Sequence, residues 1–229
     1  MVGKPSAFSP GVTPMRCPTA TVFLAGGPMT LAEAPAQANV ASLCVDRTEV
    51  TVGEYEACVV AGDCSAPRSE EGCNWPSRAS RADHPINCID MTQAATFCAT
   101  RGRRLPTEAE WEFAARGGLV WPRFPWGDAD PGSRTCWNGP GNDLGAGNRP
   151  STCPVGKYPL SNTKDGIVDA GGNVAEWTSS RTPDGDAVVR GGAWSDQAEF
   201  MLSPGYRRLL PPSFAGSLVG ARCVVPSKS

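Results

Sequence analysis

Apolar residues along this chain come in short bursts, and each burst ends at glycine, proline or a polar turn. Thr21–Ala25 is apolar and is closed by Gly26-Gly27-Pro28, which predicts a strand over 21–25. A polar, alanine-rich stretch to Asn39 follows without clear periodicity. From Leu43 to Val50 apolar and polar residues alternate, the pattern of a half-buried strand. Further short strands are predicted over 187–190 and 219–225. Three helix starts share one signature: Thr51 with Glu54, Asp90 with Gln93, and Thr107 with Glu110. In each, a capping residue stands three before a Glu or Gln, so each side chain can satisfy the other residue's orphan N–H. Each such cap is worth about 1 kcal/mol. The predicted helices run over 52–61, 91–101 and 108–116 and stop at Gly62, Gly102 and Gly117.

No helix is predicted after Gly118. Residues 121–162 are crowded with Gly, Pro, Asn and Asp, and a loop of that length inside a compact domain calls for a staple. Cys136 and Cys153 stand where they would supply one. Gly and Pro number 26 and 22 among 229 residues, which favours many turns and short elements over long helices. No composition shift or fixed-period repeat divides the chain. The reading is a loose leader over 1–16, a single domain over 17–225 and a short tail over 226–229.

A net charge of -2 offers no basic face for nucleic acid, and no apolar run is long enough to span a membrane. The cysteines change the picture more. There are ten, none in a C-x-x-C pair, so zinc-knuckle and thioredoxin-type chemistry is disfavoured. An even count at scattered spacings favours disulfides and an extracytoplasmic or secreted setting, although Met1–Pro14 shows no signal peptide. The pairing of Cys17, Cys44, Cys58, Cys64, Cys73 and Cys88 stays open. His84 is the one histidine, which removes a multi-histidine iron centre within the chain, and its place before Pro85 favours a structural role. The seven tryptophans are expected to fill the core of a helix-poor domain.

Several blocks then stand in a telling order: Val45–Thr51, His84–Asn87, Arg104–Glu112 (R-L-P-T-E-A-E-W-E), Pro125–Gly127, Gly172–Thr178, Arg190–Trp194 and Gly220–Cys223. Together they resemble the formylglycine-generating-enzyme, or sulfatase-modifying-factor, family over about residues 20–225. The resemblance implies an α+β fold, a loop-rich variant of the C-type-lectin-like fold. Active members of that family oxidise a sulfatase cysteine to formylglycine with oxygen and Cu(I), which two thiolates hold just after an R-G-G-S motif. Those thiolate positions fall here at Asp196 and Met201, and neither is cysteine. Soft sulfur donors suit Cu(I), so copper is not expected. Ala193 and Ala175 also stand where the family has Ser and Trp. Cysteines that pair with each other in vertebrate-type members are replaced by Ala115 and Leu209, as expected if apolar packing took over from that bridge.

The resemblance further implies a Cys98–Cys223 disulfide and a calcium site at Asp169, Gly172, Val174 and Glu176, made of two side-chain oxygens and two backbone carbonyls. A second family calcium site would fall between Asn138 and Asn148. Asp196 and Glu199 as paired acid–base carboxylates have little to support them, since nothing in the sequence fixes their distance. The expected function is that of a catalytically degenerate member, a binding or structural domain for a protein or glycan. The alternative is an oxidoreductase of the family, either a formylglycine-generating oxidase or one with altered chemistry.

Overall fold

The structure, a computed structural model, describes residues 17–32, 36–118 and 121–225. The predicted leader and tail lie outside the described residues. In chain order the elements are β1 (Thr21–Leu24), β2 (Gly27–Thr30), β3 (Gln37–Val40), β4 (Leu43–Asp46), α1 (Val52–Val60), α2 (Met91–Thr100), α3 (Glu108–Ala115), β5 (Ala175–Arg181), β6 (Ala187–Arg190), β7 (Arg207–Leu210), β8 (Val219–Gly220) and β9 (Val224–Val225). Three sheets form: β1-β4-β9, the hairpin β2-β3, and β7-β6-β5-β8, in which β5 and β8 run parallel. Short 3-10 turns at Trp75–Ser80, Pro159–Ser161 and Glu199–Leu202 punctuate the loops.

The three helices begin where their capping residues place them. At Thr51, Asp90 and Thr107 both halves of the capping box are made, and Gly62, Gly102 and Gly117 follow the last turns with positive φ. These signals are local, so they survive whatever the rest of the chain does.

The predicted strand over 43–50 is shorter. It ends at Asp46, because the backbone beyond it finds partners in several different segments rather than one ladder. Arg47 N–H donates to the Ala20 carbonyl at 2.9 Å, Val168 N–H to the Arg47 carbonyl at 2.9 Å, and Val50 N–H to the Ala221 carbonyl at 2.8 Å. The strand over 219–225 likewise splits into β8 and β9 in two different sheets. Between them, the carbonyls of Ala221 and Cys223 accept from Val50 and Asp46. The β2-β3 hairpin was not predicted, since its residues carry no alternation. Tertiary contacts anchor it: Ala32 N–H donates to Glu112 Oε1 at 3.0 Å, and the Arg116 guanidinium to the Thr30 carbonyl at 3.2 Å.

Two large apolar clusters make most of the core. One packs α1 and α2 against β5 and β6, with Tyr55 stacked on Phe97 at 5.4 Å. The other gathers β1 to β4 against α3. Trp111, Trp137 and Trp177 are buried, and their indole N–H groups reach Glu176, the Gly132 carbonyl and the Ile89 carbonyl. The expectation that all seven tryptophans fill the core fails at Trp121, which is 60% exposed with the Arg116 guanidinium over its ring. A bulky side chain beside a cation can stay at the surface because the ring face attracts the charge. The packing expected in place of the lost bridge also fails: Ala115 is buried, but Leu209 faces outward.

All ten cysteines are bridged: Cys17–Cys44, Cys58–Cys64, Cys73–Cys88, Cys98–Cys223 and Cys136–Cys153. Cys98–Cys223 closes a separation of 125 residues and ties α2 to the segment between β8 and β9. A loop that long gives the largest chain-entropy effect, about 5 kcal/mol. The double variant Cys98→Ser, Cys223→Ser should therefore unfold with a stability loss of roughly 3–5 kcal/mol in urea titration. A loss under about 1 kcal/mol would show that this bridge constrains little.

Candidate functional site

The segment after β6 is built by close approach. A Cβ on Gly191 would sit 3.1 Å from the Trp111 ring, and one on Gly192 would meet Leu202 at 2.7 Å and the Met201 carbonyl at 2.9 Å. The space beside Gly192 is thus filled by the 3-10 turn at Glu199–Leu202, whose Leu202 is fully buried. Arg190, at the end of β6, is buried and donates to Glu108 Oε1 at 2.6 Å and to the Gly205 carbonyl at 2.7 Å. It also pairs with Glu112.

Asp196 and Met201, which the resemblance sets at the thiolate positions, do come together, but around a group that sequence reasoning missed. Asp196 is buried and accepts from the Arg208 guanidinium, and its Oδ2 also accepts from Ala193 N–H at 2.7 Å. The Met201 sulfur lies 3.9 Å from the same Arg208 nitrogen. This carboxylate is thus held as the ion-pair partner of a guanidinium. Glu199 faces a different cation, Arg123, at 2.6 Å on the exposed side, so no acid–base pair forms with Asp196. Arg208 lies in β7, which has no strong apolar pattern, and no sequence signal pointed to it.

The four positions expected to hold calcium are close in the fold, yet each has structural work already. Glu176 is fully buried and accepts from Arg222 Nε and Nη2 at 2.7–3.1 Å and from Trp111 Nε1 at 2.6 Å. Those bonds use its roughly four lone-pair directions. Asp169 accepts from Gly156 N–H at 2.6 Å and from Ser161 Oγ at 3.3 Å. Gly172 has a positive φ, and a Cβ there would lie 2.6 Å from Thr135 Oγ1, so packing alone requires glycine. Val174 donates its N–H to Glu49. Calcium takes six to eight oxygens, and this arrangement does not fit it, because Glu176 would first have to leave Arg222. Among the described residues, no group of three or more His, Cys, Asp or Glu side chains is placed to share a metal ion.

Glu49 is a second feature that alternation alone could not assign. It is fully buried and accepts from Asn173 Nδ2 at 2.7 Å and Val174 N–H at 3.1 Å. Burial pushes its carboxyl well above the ordinary range, and the nearby charges of Asp169 and Glu176 add to this. Burial also raises Asp169. At Asp46 burial outweighs the ion pair with Arg103 and pushes the carboxyl up to about 6. His84 is pulled down by burial, and its Nδ1 lies 2.8 Å from Thr152 Oγ1, as suits a structural histidine.

Two outcomes follow. Arg222→Met leaves Glu176 buried without its partner and should cost about 3–5 kcal/mol in denaturant unfolding. A carboxyl raised on folding keeps a proton that the unfolded chain releases, so its stabilisation is present at low pH and lost as pH rises through the folded value. Wild type should therefore lose about 2–3 kcal/mol relative to Asp46→Asn between pH ~4 and pH ~7. Parallel pH profiles for the two proteins would refute that assignment.

Comparison with known proteins places this geometry. The model of the sulfatase-modifying factor enzyme 1-like domain matches residues 10–226. The inactive C-alpha-formylglycine-generating enzyme 2 of Bos taurus is 40% identical over 125 residues, which are 52% of this chain and 41% of that protein. The formylglycine-generating enzyme of Mycobacterium tuberculosis is 42% identical over 108 residues, 44% of this chain and 35% of the relative. Hercynine oxygenase of Mycolicibacterium smegmatis is 34% identical over 158 residues, 58% of this chain and 33% of the relative. The matched regions thus span about a third to two fifths of these relatives' lengths. Among solved structures, CarF superposes with a TM-score of 0.71 at 23% identity, over 92% of this chain and 99% of that one. PvdO from Pseudomonas aeruginosa gives 0.68 at 20% identity, over 89% and 93%. These likenesses agree with the α+β, C-type-lectin-like fold expected from the sequence. With that model matching nearly the whole of this chain, the chain belongs to the formylglycine-generating-enzyme, or sulfatase-modifying-factor, family.

Proposed function

We propose that this chain is a family member without formylglycine-generating oxidase activity, a lectin-like scaffold that binds a protein or glycan or serves a structural role. The observation that carries this reading is the Asp196–Arg208 ion pair with Met201 beside it, at the positions that correspond to the thiolate pair. Cu(I) requires soft donors, and a carboxylate tied to a guanidinium offers none. The disulfides use all ten cysteines, so no thiol from elsewhere in the chain is free to substitute. The filled space beside Gly192 leaves little room for a peptide substrate there. A relative whose name marks it as inactive, at 40% identity, makes such a loss familiar within the family.

Five disulfides also favour a setting outside the reducing cytoplasm. Among the described residues no helix is long and apolar enough to cross a membrane. Oxygen uptake by the unreduced protein, with a sulfatase-motif peptide and Cu(I), should not exceed the peptide-free blank. Thiol titration of the same sample should find none. Peptide-dependent uptake, or formylglycine in the peptide by mass spectrometry, would return the chain to the oxidoreductases.

A further inference from the structure

The second expected cation position lies in the irregular loop that Cys136–Cys153 closes, between Asn138 and Asn148. Asn138 organises that loop through three bonds. Its N–H donates to the Asp196 carbonyl at 2.8 Å, its carbonyl accepts from Gly147 at 2.9 Å, and its side-chain oxygen accepts from Arg149 N–H at 2.8 Å. Asn148, at the other end, turns its side-chain amide back to the Leu144 carbonyl at 3.1 Å. The buried centre belongs to a side chain of the loop itself.

We propose that the Arg149 guanidinium is the built-in cation of this loop, which closes on it and takes up no metal ion. Arg149 is 4% exposed. Its Nε donates to the Trp137 carbonyl at 2.8 Å, and its Nη2 to the Tyr158 hydroxyl at 3.0 Å and to the Asp143 carboxylate. Its Nη1 lies 2.9 Å from the Cys153 sulfur. The Tyr158 hydroxyl in turn donates to the other Asp143 oxygen at 2.8 Å. A carbonyl, a carboxylate and a hydroxyl are the kinds of hard oxygen that calcium would collect, and here they surround N–H donors. The planar fork reaches several of these directions at once, which a single lysine ammonium could not do. The loop's four anchor points, Trp137, Asp143, Cys153 and Tyr158, are thereby tied to one side chain. Burial would raise the Asp143 carboxyl, but the Tyr158 hydroxyl, Arg149 and Lys157 together hold it below its ordinary value, so the pair stays charged.

Hydrogen–deuterium exchange over 138–158, read by mass spectrometry on the full, unreduced chain, tests this. Wild type should show the same protection and the same Tm in millimolar calcium chloride as in EGTA. Arg149→Met should lose protection there by about tenfold or more while peptides from α1 and α2 keep theirs. Should that variant not fold, Asp143→Asn removes one anchor from the more exposed side and should loosen the same peptides. Protection or Tm that rises with calcium in wild type overturns the proposal. So does unchanged protection in Arg149→Met, or, if that protein fails to fold, in Asp143→Asn. None of these readouts depends on oxidase activity, so they are independent of the functional reading above.

Discussion

The fold turns on one buried guanidinium. Arg222 donates to both oxygens of Glu176 in β5, to the carbonyls of Asp46 at the end of β4 and Arg47 just past it, and to the Val168 carbonyl before the Gly171-Gly172 turn. One side chain therefore joins the three-stranded and four-stranded sheets and the turn between them. Its neighbour Cys223 adds a covalent tie to α2. A charge in that position is tolerable only because every N–H has an acceptor; a buried ion stripped of its partners costs several kcal/mol. The carboxylates around it, Glu49, Asp169 and Glu176, are held in a low-dielectric pocket by backbone donors, an amide and this single cation.

The same solution recurs at three places. Arg222 sits at the expected calcium residues, Arg149 centres the 138–158 loop, and Arg208 clamps Asp196, one of the two expected thiolate positions. In each, a guanidinium of the chain is the cation that the surrounding oxygens share. Around Gly191 and Gly192 the packing is close, since Trp111, Leu202 and the Met201 backbone press against positions that only glycine allows.

How much of this was legible in the sequence depended on how local the signal was. The capping boxes at Thr51, Asp90 and Thr107 and their terminal glycines gave the three helices almost to the residue, because cap bonds span three or four positions. The strand over 43–50 was overextended, because alternation continues past Asp46 while its backbone partners do not. The β2-β3 hairpin left no pattern, since it is anchored by Glu112 and Arg116, 80 and 86 residues from their partners. Asp196 and Met201 could be named as replacements from their place after Arg190-Gly191-Gly192. Their partner Arg208 could not, since it arrives from another strand.

By itself, then, the amino-acid sequence determined the helix boundaries and the family, because motif spacing and residue identity travel along the chain. Tertiary structure alone decided how Cys17, Cys44, Cys58, Cys64, Cys73 and Cys88 pair and that Glu49 is buried among other carboxylates. It also decided that arginines, rather than open oxygen cages, occupy the polar centres. Those outcomes depend on side chains up to 176 positions apart, as with Arg222 and the Asp46 carbonyl. Only the closed fold removes water from such pairs and makes their charges answer to one another.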